Sequence, residues 1–237
     1  MREFGVYVHI PFCLSKCPYC DFCSFPGKSE ADRDAYVAAL LREILEREYP
    51  AREVTSVYFG GGTPTLLSEG QMGAIVDALA KRFPIARDAE ITFEMNPATA
   101  DRTKLAAFRS LGFNRVSIGC QSFCDRELSA LGRIHTAEQA KRAFSDARAA
   151  GFSNINLDLI YAIPHQTEET LEASLAAALE LFPEHLSAYG LIVEEGTPFA
   201  LRRDSLRLPG DDVEADFYAL VSKTLRGVGY RHYEISN

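Results

Sequence analysis

Ile91-Thr92-Phe93-Glu94-Met95-Asn96 alternates apolar and polar side chains, and successive residues of a strand point to opposite faces. One face of such a strand needs an apolar cover and the other a polar surrounding. The alternation recurs in Val116-Ser117-Ile118-Gly119-Cys120-Gln121 and in Asn154-Ile155-Asn156-Leu157-Asp158-Leu159. Strands of a doubly wound sheet are covered by helices on both faces and read as unbroken apolar runs. A polar inner face suits a barrel that encloses a ligand cavity instead.

Working outward, strand patterns at residues 6–10, 54–60, 89–96, 115–121, 154–161 and 185–193 alternate with helical periodicity at 32–48, 69–83, 102–111, 137–150 and 168–181. Ser68 with Gln71, and Thr136 with Gln139, have capping-box spacing, while Gly112 and Gly151 stand where left-handed C-caps are expected. A repeated strand–helix unit implies parallel strands with right-handed crossovers. The fold class is therefore α/β, a partial (β/α)6 TIM-like barrel with outer helices, read as one domain over residues 1–237. An amphipathic helix at 211–226 and a last strand at 230–235 follow. No helix covers that strand before the sequence stops, so the chain reads as a fragment lacking a C-terminal domain.

Among the 237 residues, 47% are hydrophobic and 24% charged, with a formal net charge of -8. That content supports a core and excludes a disordered chain. The acidic balance argues against nucleic-acid binding, which needs clustered Lys and Arg. No apolar run approaches the roughly 20 residues of a membrane span, and the apolar part of the N-terminus is too short for a secretory signal. A cytoplasmic protein with no transmembrane segment is expected.

Four of the six cysteines, Cys13, Cys17, Cys20 and Cys23, lie within eleven residues of each other, directly after the first strand. Reducing compartments disfavour disulfides, so the clustering indicates a metal site. Structural zinc takes four ligands, usually as two separated pairs. Here a C-x3-C-x2-C triplet has no matching second pair. Three thiolates can hold three corners of a [4Fe–4S] cluster and leave one iron open to another ligand. Gly60-Gly61-Gly62, at the end of the second strand, lets backbone approach a ligand closely. Cys120 falls on the apolar face of its strand as a core thiol, and Cys23 reads as a loop residue near the cluster, with a fourth ligand that closes it as the alternative.

The triplet, with Phe59-Gly-Gly-Gly-Thr-Pro64, resembles the radical S-adenosylmethionine (SAM) superfamily. Within it, Tyr7-Val-His9-Ile-Pro-Phe-Cys13, Glu94-Met-Asn-Pro97, Gln121-Ser-Phe123, Leu131-Gly-Arg133-Ile-His135, Asn156-Leu-Asp158-Leu-Ile-Tyr161 and Tyr233-Glu-Ile-Ser-Asn237 resemble the group that holds oxygen-independent coproporphyrinogen III oxidase (HemN) and the haem chaperone HemW. The resemblance implies that Cys13, Cys17 and Cys20 hold a [4Fe–4S] cluster whose open iron takes SAM. It further implies that Tyr7, Tyr19, Gly61, Gly62 and Thr63 line the SAM site, and that Glu94, Gln121, Arg133, Asp158 and Gly190 complete it or form a second SAM site such as HemN carries. Glu94, Gln121 and Asp158 also stand near the C-terminal ends of their strands, where parallel β/α barrels carry ligand sites.

Two functions follow from the resemblance. A HemN-like enzyme would use the SAM-derived radical to decarboxylate coproporphyrinogen III oxidatively. A HemW-like protein would bind haem and deliver it to recipient haem proteins. Phe22 stands where HemN has a further cysteine, and the chain begins only six residues before Tyr7 whereas HemN has an N-terminal extension. Both features favour the HemW-like role, with haem or a porphyrinogen bound and a low-potential electron donor of flavodoxin or ferredoxin type. Plainer roles stand beside these: Glu94 paired with Arg133, His9 as a structural hydrogen bonder, and His135 as a helix-start or loop residue.

Overall fold

The computed structural model describes residues 4–49 and 52–235. In chain order its strands and helices are β1 (Gly5–Ile10), β2 (Phe12–Cys13), β3 (Phe25–Pro26), α1 (Glu30–Glu46), β4 (Val54–Gly61), α2 (Glu69–Arg82), β5 (Ile85–Met95), α3 (Arg102–Ser110), β6 (Arg115–Gln121), α4 (Asp125–Ala130), α5 (Ala137–Ala149), β7 (Ile155–Tyr161), α6 (Glu168–Leu179), β8 (His185–Gly190), α7 (Pro198–Leu201) and α8 (Asp211–Gly227). Single 3-10 turns lie at Pro64–Leu66 and Arg203–Ser205. Six strands form one sheet in the order β1-β4-β5-β6-β7-β8, and the short β2 pairs with β3.

Local chemistry explains most boundaries. Both expected capping boxes form: Ser68 with Gln71 opens α2, and Thr136 exchanges hydrogen bonds with Gln139 ahead of α5. Gly112 and Gly151 follow α3 and α5 with φ of 101° and 94°, a region open to glycine at little cost. Residues 230–235 are a correction to the sequence reading, since they form no strand. Side chains moor them instead. Tyr230 donates its hydroxyl to the Pro183 carbonyl, and the Tyr233 hydroxyl meets His185 Nε2 at 2.5 Å. Ser236 and Asn237 of the closing motif lie outside the described residues. The sixth long strand also stops early, at Gly190 and not at 193.

The chain divides into two compact units, residues 1–16, 22–117 and 146–153 in the first, and 17–21, 118–145 and 154–237 in the second. In the first unit β1 pairs parallel with β4 and β4 with β5, so that Tyr7 faces Tyr58 and Tyr58 faces Thr92. Its core is built on phenylalanine. The Phe93 ring lies edge-on to Phe108, Phe113 and Phe152, with centroids 5.2, 5.1 and 5.6 Å away. Such contacts each add about 0.5–1.5 kcal/mol to the burial itself. The polar side of the alternation is buried as well: Thr92 is 0% exposed.

In the second unit β7 pairs parallel with β8, placing Asp158 opposite Ser187 and Tyr161 opposite Gly190. Leu131, Ile160, Ile163, Leu191 and Phe199 form a buried cluster, with Tyr19 of the cysteine loop packed against it. Asn156, on the polar side of β7, is buried too. No helix among the described residues is long and apolar enough to cross a membrane.

Candidate functional site

The site residues expected from the sequence fall in both units. In the first, the glycine turn after β4 is laced to the start of the cysteine loop. Gly62 N–H donates to the Ile10 carbonyl at 2.9 Å, and Thr63 N–H to the Phe12 carbonyl at 2.7 Å. A Cβ on Gly62 would stand 2.6 Å from the Phe12 oxygen and 2.9 Å from the Ile10 oxygen, both backbone, so only glycine fits. Gly61 has φ of 107°, and a Cβ there would meet the His9 ring at 2.4 Å.

This tight turn brings Thr63 to Cys13, with Oγ1 3.8 Å from the sulfur. Asn96 Nδ2 donates to the same Oγ1 at 2.8 Å, which leaves the hydroxyl proton directed at the thiol. Glu94 accepts from the Tyr58 hydroxyl at 2.8 Å and the Gly61 amide at 3.1 Å. Burial holds its pKa above the ordinary value of 4.5 despite both bonds, which pull the other way. Tyr58 has no place in the sequence reading; the sheet register sets it opposite Tyr7 and Thr92, and the sequence alone does not fix that register.

Tyr7 stacks on Tyr58 at 6.2 Å and its hydroxyl meets His9 Nδ1 at 3.0 Å. The other His9 nitrogen, Nε2, faces the Cys23 carbonyl at 2.8 Å, so it carries the ring proton. Both ring nitrogens are thus used in fixing the loop, which gives His9 its structural role. The Cys23 side chain is exposed.

In the second unit, Cys17 to Cys20 forms a turn closed by the Cys20 amide on the Cys17 carbonyl at 3.1 Å. Arg133 spans it. Nη1 donates to the Cys17 sulfur at 3.5 Å, and Nη2 to the Gly119 carbonyl at 2.8 Å. Burial alone would lower the guanidinium pKa, but Tyr19 and Cys17 beside it raise it on balance. The Tyr19 phenol is pushed up by burial, against the pull of Arg133. Gly132, with φ of 68°, leaves room for Pro18: a Cβ there would sit 2.6 Å from the Pro18 Cδ.

Cys120 is fully buried as a core thiol, and burial raises its pKa. His135 is buried as well. Its Nε2 donates to the Cys120 carbonyl at 3.1 Å, while Nδ1 has no hydrogen-bond partner. Burial, with Arg133 nearby, lowers its pKa to about 4. Gln121 ends β6 with φ of 67°. Asp158 accepts from Asn156 Nδ2 at 2.7 Å. Gly190 is packed by Glu214 of α8, whose Oε1 would lie 2.9 Å from an added Cβ. Glu214 was invisible to motif reading because residues 191–210, with α7 and a 3-10 turn, separate α8 from β8.

Residues 7–178 match the radical SAM superfamily. The chain belongs to that superfamily. It is 42% identical to the heme chaperone HemW of Escherichia coli over 98% of this chain and 61% of that protein. Against HemW of Mycobacterium tuberculosis the identity is 40%, over 100% of this chain and 62% of the relative. Mouse mitochondrial radical S-adenosyl methionine domain-containing protein 1 is 38% identical over 98% of this chain and 53% of its own. The chain thus spans about three fifths of the HemW proteins it matches. Among solved structures it is similar to coproporphyrinogen III oxidase (HemN) from E. coli, a radical SAM enzyme, at 32% identity and a TM-score of 0.88, covering 97% of this chain and 54% of that one. This bears out both the α/β fold expected from the strand pattern and the radical SAM fold that the motif resemblance implies.

Membership in the superfamily implies a [4Fe–4S] cluster and SAM. The donor chemistry here fits them. Thiols from one loop receive a hydroxyl and a guanidinium donor, and hydrogen bonds to sulfur tune such clusters. Among the described residues no three Cys, His, Asp or Glu side chains converge as ligands of a single ion would. A cluster that offers each thiolate its own iron does not ask for that convergence.

Proposed function

We propose that this chain is the cluster- and SAM-bearing part of a HemW-like protein that binds haem and delivers it to haem enzymes in the cytoplasm. Cys13, Cys17 and Cys20 hold the cluster, and the residues at the strand ends hold SAM. The observation that carries the reading is the pair of donors aimed at loop sulfurs, Thr63 on Cys13 and Arg133 on Cys17. The two HemW relatives at 40–42% identity support the haem role.

A cluster held by Cys13, Cys17 and Cys20 would supply one-electron reduction of SAM, and would draw on a low-potential donor of flavodoxin or ferredoxin type. The chain's own residues bind and orient. Glu94, fixed by Tyr58 and Gly61, offers carboxylate lone pairs to hydroxyl or amino groups. Asp158 does the same from β7, and Gly61, Gly62 and Gly190 let a ligand approach backbone. Tyr7 and Tyr19 supply apolar walls with polar tips.

The second reading, oxidative decarboxylation of coproporphyrinogen III, draws on the likeness to HemN. Anaerobic reconstitution of the full-length protein separates the two. A stable haem complex by absorbance titration, with no decarboxylation in the presence of SAM and reductant, is the expected result. Turnover to protoporphyrinogen without haem retention would overturn it. Single replacement of Cys13, Cys17 or Cys20 by Ala should abolish the iron–sulfur absorbance, whereas Cys23→Ala should keep it.

A further inference from the structure

Gln121 has φ of 67°, and the amide of Ser122 turns back to the Cys120 carbonyl at 2.9 Å. A carbonyl bonded to the amide two residues on, about a residue of positive φ, is the rare and strained form of γ-turn. Glycine occupies such a position without strain, as Gly61 does at the end of β4 with φ of 107°. At the end of β6 the residue is glutamine.

The residues that follow are tied down by a buried polar network. Ser122 Oγ donates to Glu127 Oε2 at 2.6 Å and accepts from the Cys124 amide at 2.9 Å. The Phe123 amide donates to Ser174 Oγ at 3.2 Å. The Glu127 carboxylate also receives Gln166 Nε2 at 3.1 Å and Thr170 Oγ1 at 2.5 Å. Ser122, Glu127, Gln166 and Ser174 are all less than one tenth exposed. A buried carboxylate is tolerated only when its lone pairs are taken up, and here three side chains do so, one after β6 and two around the start of α6. Strained backbone persists where the surroundings over-determine it.

We propose that Glu127 is a positioning residue: its carboxylate clamps Ser122–Cys124, which keeps the γ-turn closed and presents the Gln121 side-chain amide to bound SAM. The role rests on the SAM reading above. A network that served stability alone would have no use for a side chain at the strained position.

Three variants test it, read by melting temperature, by amide exchange in the cluster-free chain, and by the cluster's EPR response to SAM. Gln121→Gly relieves the strain while removing the amide, so melting should rise by about 2–4 °C and SAM binding weaken about tenfold. Glu127→Gln turns one acceptor into a donor that faces a hydroxyl or an amide. Exchange at Ser122 and Cys124 should quicken about tenfold, and SAM binding should weaken by a similar factor. Ser174→Ala, a milder cut at the Phe123 amide, should move both readouts the same way by less. The clamp is overturned if Glu127→Gln loosens exchange yet binds SAM like the native chain, or if Gln121→Gly melts lower. A native chain whose cluster ignores SAM overturns the SAM reading itself, and the exchange data separate that failure from the other.

Discussion

Cys13 and Cys17 lie four residues apart in one loop, yet their sulfurs are reached by opposite means. Cys13, in the first unit, is met by a neutral hydroxyl carried on a glycine turn so tight that backbone oxygens close the space around Gly62. Cys17, in the second, is met by a guanidinium that also grips the Gly119 carbonyl. The first support is intolerant of added volume and the second of lost charge. The pH response divides the same way. Burial favours the protonated form of Glu94 in the first unit and the neutral form of His135 in the second.

Acidification should give the largest separation. The folded-state pKa of His135 is depressed to about 4 from 6.5. Its contribution is complete above pH 6.5 and is lost as pH falls towards 4, amounting to roughly 3 kcal/mol at 1.36 kcal/mol per unit. Glu94 has the opposite sign: its pKa is raised, so its ionisation destabilises the fold as pH rises past 4.5. Urea unfolding across this range should show an acid loss that His135→Asn flattens, since Asn still donates to the Cys120 carbonyl and does not titrate. Equal acid loss in the variant would break the contrast.

Added volume comes next. Gly62→Ala should cost about 2–3 kcal/mol, because the atoms it meets are backbone and cannot turn aside. Calorimetry of the cluster-free chain measures it. Lost charge follows: Arg133→Met should lower cluster retention by about 10–100-fold in chelator challenge, and Thr63→Val by less than about tenfold. Equal losses would erase the distinction between the two supports. The smallest effect is a control with the opposite sign. Gly70 lies in α2 with open space around its Cα, so Gly70→Ala should add about 0.5–1 kcal/mol.

Much of this is legible in the sequence alone. Alternation in residues 91–96 and 154–159 exposes a polar strand face, and the buried Thr92 and Asn156 lie on it. Capping boxes and glycine stops place α2, α3 and α5 to within a residue or two, because those signals are local. What stayed hidden depends on distant partners. Beside the γ-turn at Gln121 the Phe123 amide bonds Ser174, about fifty residues on, and Gly190 packs on Glu214 from α8. The segment 230–235 has strand-like composition, but side-chain moorings hold it where ladder pairing was expected.

Cys120 is fully buried beside the strained turn, with its proton held by burial. Alkylating reagents attack thiolates, so they reach this sulfur only when the surrounding fold opens. It is therefore a built-in clock: pulse labelling followed by mass spectrometry of its peptide would time the opening of the second unit, whatever the loop cysteines are carrying.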